Sequence, residues 1–122
     1  VIGALGDPDA GVRRAAADAV AQSTATGQGV AAARAALLAR LGEEPDATVR
    51  GQLAESAGRL RHEPGDVAAT AERLAGLLPL RGAVRGLFFL ARQPAARDRV
   101  GAAVGRRLQE VATTVTHPDD VR

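Results

Sequence analysis

Two clusters that combine histidine with carboxylates are the places where this sequence suggests metal chemistry. His62 precedes Glu63, and His117 is followed closely by Asp119 and Asp120. A metal site needs ligands that converge from rigid elements, often two His one helical turn apart. These clusters lie in predicted loops about 55 residues apart. The spacing does not favour a metal site, and we expect both clusters to be solvated loops.

The other reactive side chains do not form a catalytic arrangement. Ser23 and Ser56 are the two serines, and neither is placed to pair with a His. The chain has no Cys, so neither a hydroxyl nor a thiol nucleophile is favoured. Glu43 and Glu44 resemble paired carboxylates, but a capped helix junction explains them better. The sequence therefore predicts no catalytic, metal-binding or cofactor-binding residue, and a protein that is not an enzyme.

The charge distribution disfavours nucleic acid and membranes as partners. All 16 basic residues are Arg, against 14 acidic residues and a formal net charge of +2. Nucleic-acid binding would need the arginines of the last predicted helix, which are Arg97, Arg99, Arg106 and Arg107. Acidic residues intersperse the arginines, and there is no Trp or Tyr for base stacking. No polybasic block, membrane-spanning stretch or secretory signal is present, and we expect a cytoplasmic protein.

One short motif recurs along the chain. Residues 7–13 read DPDAGVR and residues 44–50 read EPDATVR, while Val-Arg returns at 84–85 and 121–122. The valines are separated by 37, 35 and 37 positions. A period of a few tens of residues is typical of stacked-repeat proteins. Because helix-favouring residues dominate the composition, we predict an all-α fold, an α-solenoid of stacked two-helix repeats.

Each copy of the motif predicts a turn, a cap and a buried stripe. Gly6 and Gly42 suit the left-handed residue that ends a helix, while Asp9 and Asp46 can cap the helices that follow. The 14 glycines are interpreted as marking turns and loosened helices. Helical spacing predicts equivalent inward stripes in the first two copies, namely Val12, Ala16, Ala19 and Ser23, then Val49, Leu53, Ser56 and Leu60.

The third copy is degraded. Arg81 stands at the offset of Asp9 and Asp46, where the helix dipole disfavours a cation. We expect a helix break near Gln93 and a long helix over about residues 95–115. The stripe is predicted to continue through Val84, Phe88, Ala91 and Ala95.

Leu90 is the anomaly of the third copy. It closes an apolar run at residues 87–90 and aligns with the charged Asp18 and Glu55. Four consecutive apolar residues point all around a helix and cannot share one stripe. We expect the neighbouring long helix to bury Leu90; the alternative is an exposed residue of a contact surface.

The chain is predicted to be one repeat array. Residues 1–28 form the end of one repeat, 29–65 a second, 66–94 a degenerate third and 95–122 the start of a fourth. The chain lacks an initiator Met, begins in the last turn of a predicted helix and stops as another begins. We expect a fragment of a longer array whose remaining repeats pack on both ends.

The turn followed by Val-Arg and an Ala-rich helix resembles HEAT repeats, including the PBS-lyase HEAT-like variety. Residues 5–17 are similar to the family pattern, residues 41–50 match well and residues 78–92 match in outline. In that family the turn Asp and the Arg after Val make a ladder between adjacent repeats. The resemblance implies a structural ladder here, at Asp9, Arg13, Asp46, Arg50 and Arg85, with Arg122 as a further rung. Asp9 and Arg13 are also spaced as an i,i+4 pair, as are Asp46 and Arg50, which contributes about 0.3–0.5 kcal/mol when exposed.

The resemblance implies a non-enzymatic scaffold that binds another protein along the concave face formed by the second helices of the repeats. Offset comparison places the candidate contacts away from the stripe, at Arg14, Asp18, Glu55 and Arg59, with Leu90 if it is exposed. One alternative is a segment of a PBS-lyase-like protein of the bilin lyase type, or of a larger enzyme, whose pocket lies mostly outside these residues. Another is a nucleic-acid-binding array that uses Arg106 and Arg107. Such arrays serve many tasks, and no cofactor is expected.

Overall fold

The computed structural model describes residues 2–23, 29–93 and 96–119. Within these ranges the chain is helical and contains no strand, which confirms the predicted all-α class. The elements in order are a short 3-10 helix (Ile2–Gly6), α1 (Ala10–Ser23), α2 (Val30–Leu41), α3 (Ala47–Arg59), α4 (Pro64–Ala75), α5 (Arg81–Ala91) and α6 (Arg97–Asp119). Helix α6 includes residues 117–119, where the sequence predicts a turn.

Helices α1, α3 and α5 pack side by side, with α3 in the middle. Helix α2 packs against α3, and α4 packs against α5 and α6. Arginine side chains join α2 to the following segment: Arg34 pairs with Asp66 at 3.1 Å, and Arg73 donates to the Leu38 carbonyl at 2.9 Å. Each helix from α2 to α5 contributes one fully buried leucine, and a further one follows the end of α3. In chain order they are Leu37, Leu53, Leu60, Leu74 and Leu90.

The helix ends confirm one predicted cap and correct two others. The Asp46 carboxylate accepts a hydrogen bond from the Val49 N–H at 3.0 Å, as an N-cap does. Gly42 ends α2 in the right-handed region, with φ −70°. Among the described residues, Gly29 before α2 is the glycine with positive φ, at 89°. The left-handed ends predicted at Gly6 and Gly42 are therefore wrong, because the chain leaves α2 through a right-handed turn.

Glycines bring α3 and α5 into direct backbone contact. A Cβ on Gly82 would overlap the Gly51 carbonyl oxygen, and a Cβ on Gly58 would overlap the Gly86 carbonyl oxygen. A Cβ on Gly86 would overlap the Ala54 carbonyl in the same way. Only a residue without a side chain permits this approach. The interpretation of interior glycines as loosened helix is wrong here, since they tighten a helix pair.

The predicted stripe is correct in α3, correct in α1 at Ala16 alone among the described side chains, and wrong in α5 at Val84 and Phe88. All four stripe residues of α3, Val49, Leu53, Ser56 and Leu60, are fully buried. In α1 Ala16 is buried as predicted, but Val12 and Ala19 are exposed. Ala17, Val20 and Ala21, which lie outside the predicted stripe, are buried instead.

Helix α5 is rotated away from the predicted stripe. Val84 is 49% exposed and Phe88 is 61% exposed, whereas Leu87 and Leu90 are buried. The rotation follows from the glycines: turning Gly82 and Gly86 toward α3 carries residues 83, 87 and 90 inward, because these positions lie on the same side of a helix. The expected burial of Leu90 is confirmed, and the expected burial of Val84 and Phe88 is wrong.

Candidate functional site

Charged side chains cross the row of α1, α3 and α5 in a connected line. Asp18 on α1 lies 3.7 Å from Arg59 on α3, and Arg59 donates to Glu55 at 3.1 Å. The other oxygen of Glu55 accepts from Arg85 on α5 at 2.8 Å. We call the surface formed by Arg14, Asp18, Glu55, Arg59 and Arg85 the charged face. The structure thus connects three of the predicted contact residues, Asp18, Glu55 and Arg59, and adds Arg85, which was predicted as a ladder residue.

Two phenylalanines border the charged face on α5. The Arg59 guanidinium lies 4.8 Å from the centre of the Phe89 ring, and Arg92 lies 5.7 Å from the centre of the Phe88 ring. The two rings meet edge to face with their centres 6.0 Å apart. Phe88 remains 61% exposed despite this contact. An exposed aromatic beside arginines is a composition that favours protein contacts.

A groove opens between α1 and the beginnings of α3 and α5. We call it the arginine groove, because Arg14, Arg81 and Arg85 line it together with Glu55. Its volume is about 200 Å³, and the other lining residues are Ala47, Thr48, Gly51, Gln52, Leu80 and Gly82. Arg14, the fourth predicted contact residue, belongs to this groove. Leu90 does not belong to the surface, because its side chain is fully buried.

Arg13, one of the predicted ladder residues, is paired with Glu44, which the predicted ladder does not include. Arg13 donates to both carboxylate oxygens of Glu44, with each nitrogen–oxygen distance 2.9 Å. The third nitrogen of Arg13 donates to the carbonyls of Asp7 and Pro8. Within the described residues, Arg13 therefore pairs with Glu44 and not with Asp9. Hydrogen bonding to Glu44 is the main cause that raises the Arg13 pKa, and the charge of Asp9 makes only a minor contribution.

The second rung repeats the backbone half of this arrangement. Arg50 donates to the carbonyls of Glu44 and Pro45, at 3.1 and 2.8 Å. Asp46 is occupied as the cap of α3 and does not pair with Arg50 in the described chain. Arg85 takes a different partner, Glu55. Arg13 and Arg50 thus each donate hydrogen bonds to two carbonyls of the turn that precedes their helix. This shared structural role accounts for the Arg that recurs in the motif.

Glu44 is the residue that sequence reasoning missed. It is 4% exposed, and its pKa falls from 4.5 to about 2, chiefly because Arg13 donates to it and despite the opposing effect of burial. Arg40 and the Asp46 N–H also donate to it. The sequence did carry a signal, since Glu44 and Asp7 occupy the same place before proline. Asp7 accepts from the Asp9 N–H as Glu44 does from Asp46.

His62 is a structural residue and not a solvated one. It is 7% exposed, and its ring nitrogens bond to the Leu60 carbonyl at 2.8 Å and the Thr70 hydroxyl at 2.9 Å. Gln93 accepts from the His62 N–H and donates to the Leu60 carbonyl. Burial lowers the His62 pKa. The expectation of a solvated loop is wrong for His62, and the cluster at 117–120 lies outside the described side chains.

The described part of the chain contains neither a cluster of metal ligands nor a helix that could span a membrane. No group of three or more potential ligands is placed to hold a metal ion there. The helices in the same ranges are all too short or too polar to cross a membrane.

The arginines of α6 are largely engaged by the protein itself. Arg106 pairs with Glu72 at 2.6 Å, Arg107 approaches Glu110 at 3.5 Å and Arg99 donates to the Pro64 carbonyl. These contacts use groups that a phosphate backbone would need. They weaken the interpretation of α6 as a nucleic-acid surface.

Comparison of the chain with protein-family models, with curated proteins and with solved structures finds no match.

Proposed function

We propose that this protein is a non-enzymatic scaffold that binds another protein across the row formed by α1, α3 and α5. In this proposal the helix pairs are the units of an α-solenoid similar to HEAT repeats, and the row lines its binding surface. The recurring turn supports the repeat interpretation, because Arg13 and Arg50 bond to equivalent carbonyls of their own turns.

The observation that carries the proposal is the composition of the row's exposed surface. Ion pairs connect Asp18, Arg59, Glu55 and Arg85 across three helices, and Phe88 is exposed next to them. Protein interfaces are enriched in arginine and aromatic residues, with a few of them supplying most of the affinity.

Phe88→Ser tests the proposal, with Leu108→Ser as its matched control. Both side chains are exposed and apolar, at 61% and 58%, but Leu108 lies on α6 away from the row. In quantitative affinity capture from the native host, partners recovered with the wild type should be retained by Leu108→Ser. The amount of partner recovered with Phe88→Ser should be lower by about tenfold or more, the loss expected for an interface hot spot. Equal recovery with both variants would exclude this surface as the binding site.

A further inference from the structure

The arginine groove has unbalanced positive charge. Arg14, Arg81 and Arg85 line it against the single carboxylate of Glu55. Glu55 is already bonded to both Arg59 and Arg85, so its charge is engaged. Arg14 and Arg81 are exposed and form no ion pair within the described residues. The groove can therefore accept a carboxylate without breaking an existing ion pair of these two arginines.

This charge arises where the recurring motif departs from its pattern. Arg81 stands where the first two copies have Asp9 and Asp46, and Pro79 stands where the second has Glu44. Both acidic members of the turn are thus lost at the beginning of α5. The positive end of the α5 dipole lies in the same place and acts with the same sign. Arg81 is exposed, and no ion pair with a described residue accounts for its charge.

The positive surface continues along one face of α5. Arg81, Arg85, Phe88 and Arg92 follow at helical spacings of four, three and four residues, which aligns them on that face. The rise of a helix puts Phe88 about 10 Å beyond Arg81. An extended peptide covers that distance in about three residues. A ligand that matches this face has carboxylates at one end and an apolar side chain about three residues later.

We propose that the arginine groove binds an acidic segment of a partner protein, with its carboxylates between Arg14, Arg81 and Arg85 and its apolar side chain on Phe88. The proposal rests on the proposed scaffold function and adds the chemistry of the partner. Arginine guanidinium groups recognise carboxylates through paired hydrogen bonds, and the groove volume of about 200 Å³ fits one or two acidic side chains.

The neighbouring charges favour a peptide over a nucleic acid. Glu55 lines the groove and Asp18 lies beyond it on the same row, so a continuous phosphate backbone would meet both carboxylates. A peptide can place a carboxylate in the groove and a neutral or basic residue opposite Asp18. The chain also has no Trp or Tyr to supply the stacking surface of single-strand binders.

Fluorescence anisotropy with a defined peptide tests the proposal. The probe is a labelled peptide with two Glu followed three residues later by Phe; the second peptide has Gln in place of Glu. Labelled oligothymidylate and inorganic phosphate as a competitor are the other probes. We expect the Glu peptide to bind, and the Gln peptide to bind about tenfold more weakly or worse, with affinity falling as salt rises.

Arg81→Asp is the decisive variant, because it installs the residue of the first two copies. It should lower the affinity of the protein for the Glu peptide about tenfold or more. Its melting temperature should equal or exceed that of the wild type, since an acidic residue in the first turn suits the helix dipole. Arg97→Asp is the matched control: Arg97 also begins a helix, carries no described ion pair and lies outside the groove. It should leave binding unchanged, and Arg14→Gln should weaken it.

The outcomes separate this inference from the proposed function. Equal binding of the Glu and Gln peptides, or equal effects of Arg81→Asp and Arg97→Asp, would overturn the acidic-peptide site. If oligothymidylate binds more tightly than the Glu peptide, and Arg81→Asp abolishes that binding, the groove is a nucleic-acid site and not a peptide site. If inorganic phosphate alone displaces the Glu peptide completely, the groove is a site for a small anion. Partner capture that depends on Phe88 but not on Arg81 would retain the scaffold and reject the groove.

Discussion

Glu44 links two consecutive helix pairs through a single carboxylate. It accepts from Arg13 on α1, from Arg40 on α2 and from the Asp46 N–H of its own turn. Because the carboxylate is buried, losing its charge would leave the Arg13 guanidinium without a counter-ion. This residue therefore connects the recurring motif to the packing of α1 on α3.

Glu44→Gln should lower the free energy of unfolding at pH 7 by about 2 kcal/mol, since it removes hydrogen bonds between charged groups. The pKa of Glu44 is lowered in the fold from 4.5 to about 2, so its contribution is fully present above pH 4.5 and is lost as the pH falls toward 2. Urea unfolding from pH 7 to pH 2 measures both effects. The variant should depend less on pH than the wild type below pH 4.5.

Glu43→Gln is the control for this prediction. Glu43 is the exposed neighbour of Glu44 and carries the same charge. Its replacement should change neither the stability nor the pH profile appreciably. A Glu44→Gln variant that matched Glu43→Gln in both measurements would contradict the role of the carboxylate.

Local spacing predicted the Asp46 cap correctly, but the i,i+4 pairs that it predicted for Asp9 with Arg13 and for Asp46 with Arg50 do not form. The Asp46 cap follows from an acidic residue three positions before Val49. The pairing of Arg13 with Glu44 does not follow, because 31 positions separate them and Asp9 offers a closer candidate. Offset comparison placed Asp18, Glu55 and Arg59 on one surface, but it could not show that Phe88 is exposed beside them.

At the scale of elements, the glycines of α3 and α5 determine how these helices meet. Gly51 faces Gly82, and Gly58 faces Gly86, with no side chain between the backbones. This contact fixes the rotation of α5 and thereby exposes Val84 and Phe88 while burying Leu90. The surface proposed for partner binding is thus a consequence of a close helix–helix approach.

Gly82→Ala should destabilise the protein by about 2 kcal/mol or more, because the added methyl group overlaps the Gly51 carbonyl and the helices must separate. Gly101→Ala is the contrasting variant on α6, where an added Cβ meets nothing within 4 Å. It should stabilise the protein by about 0.5–1 kcal/mol through helix propensity. Thermal unfolding of both variants measures the difference, and a neutral Gly82→Ala would refute the described α3–α5 contact.

The sequence predicted the buried face of α3 because its apolar residues have helical spacing and neighbours cover it on both sides. The same spacing failed in α5, where small residues decide the orientation and the hydrophobic pattern is continuous over residues 87–90. A glycine within a helix can indicate either a weak helix or a site where another helix packs closely. The sequence of one helix does not show which helix packs against it, so the two cases cannot be distinguished.

For the whole molecule, burial is concentrated in the middle of the row. Helix α3 is flanked by α1 and α5 and packs against α2, so that Val49, Leu53 and Ala57 are fully buried. Helix α6 contacts α4 and α5 through residues such as Val100 and Ala103, while Leu108 and Val111 are exposed. Local opening free energies should therefore decrease from α3 to the later part of α6.

Hydrogen–deuterium exchange followed by mass spectrometry should rank these segments. We expect amides of α3 to exchange slowest, at rates close to the limit set by global unfolding, and amides of residues 105–112 to exchange at least tenfold faster. The ranking follows from the number of packed neighbours rather than from helix propensity. Exchange in α3 as fast as in residues 105–112 would contradict the described packing.

The helix–helix contacts within the row differ in rigidity, and this difference determines where the row bends under a force. Helices α3 and α5 touch backbone to backbone where Gly82 meets Gly51 and where Gly58 meets Gly86. Helices α1 and α3 are joined at the surface by the Asp18–Arg59 salt bridge, and Gly11, the glycine of α1, makes no backbone contact with α3. A load would therefore bend the row at α1, and the separation of Arg14 from Arg81 is the dimension of the arginine groove that would change.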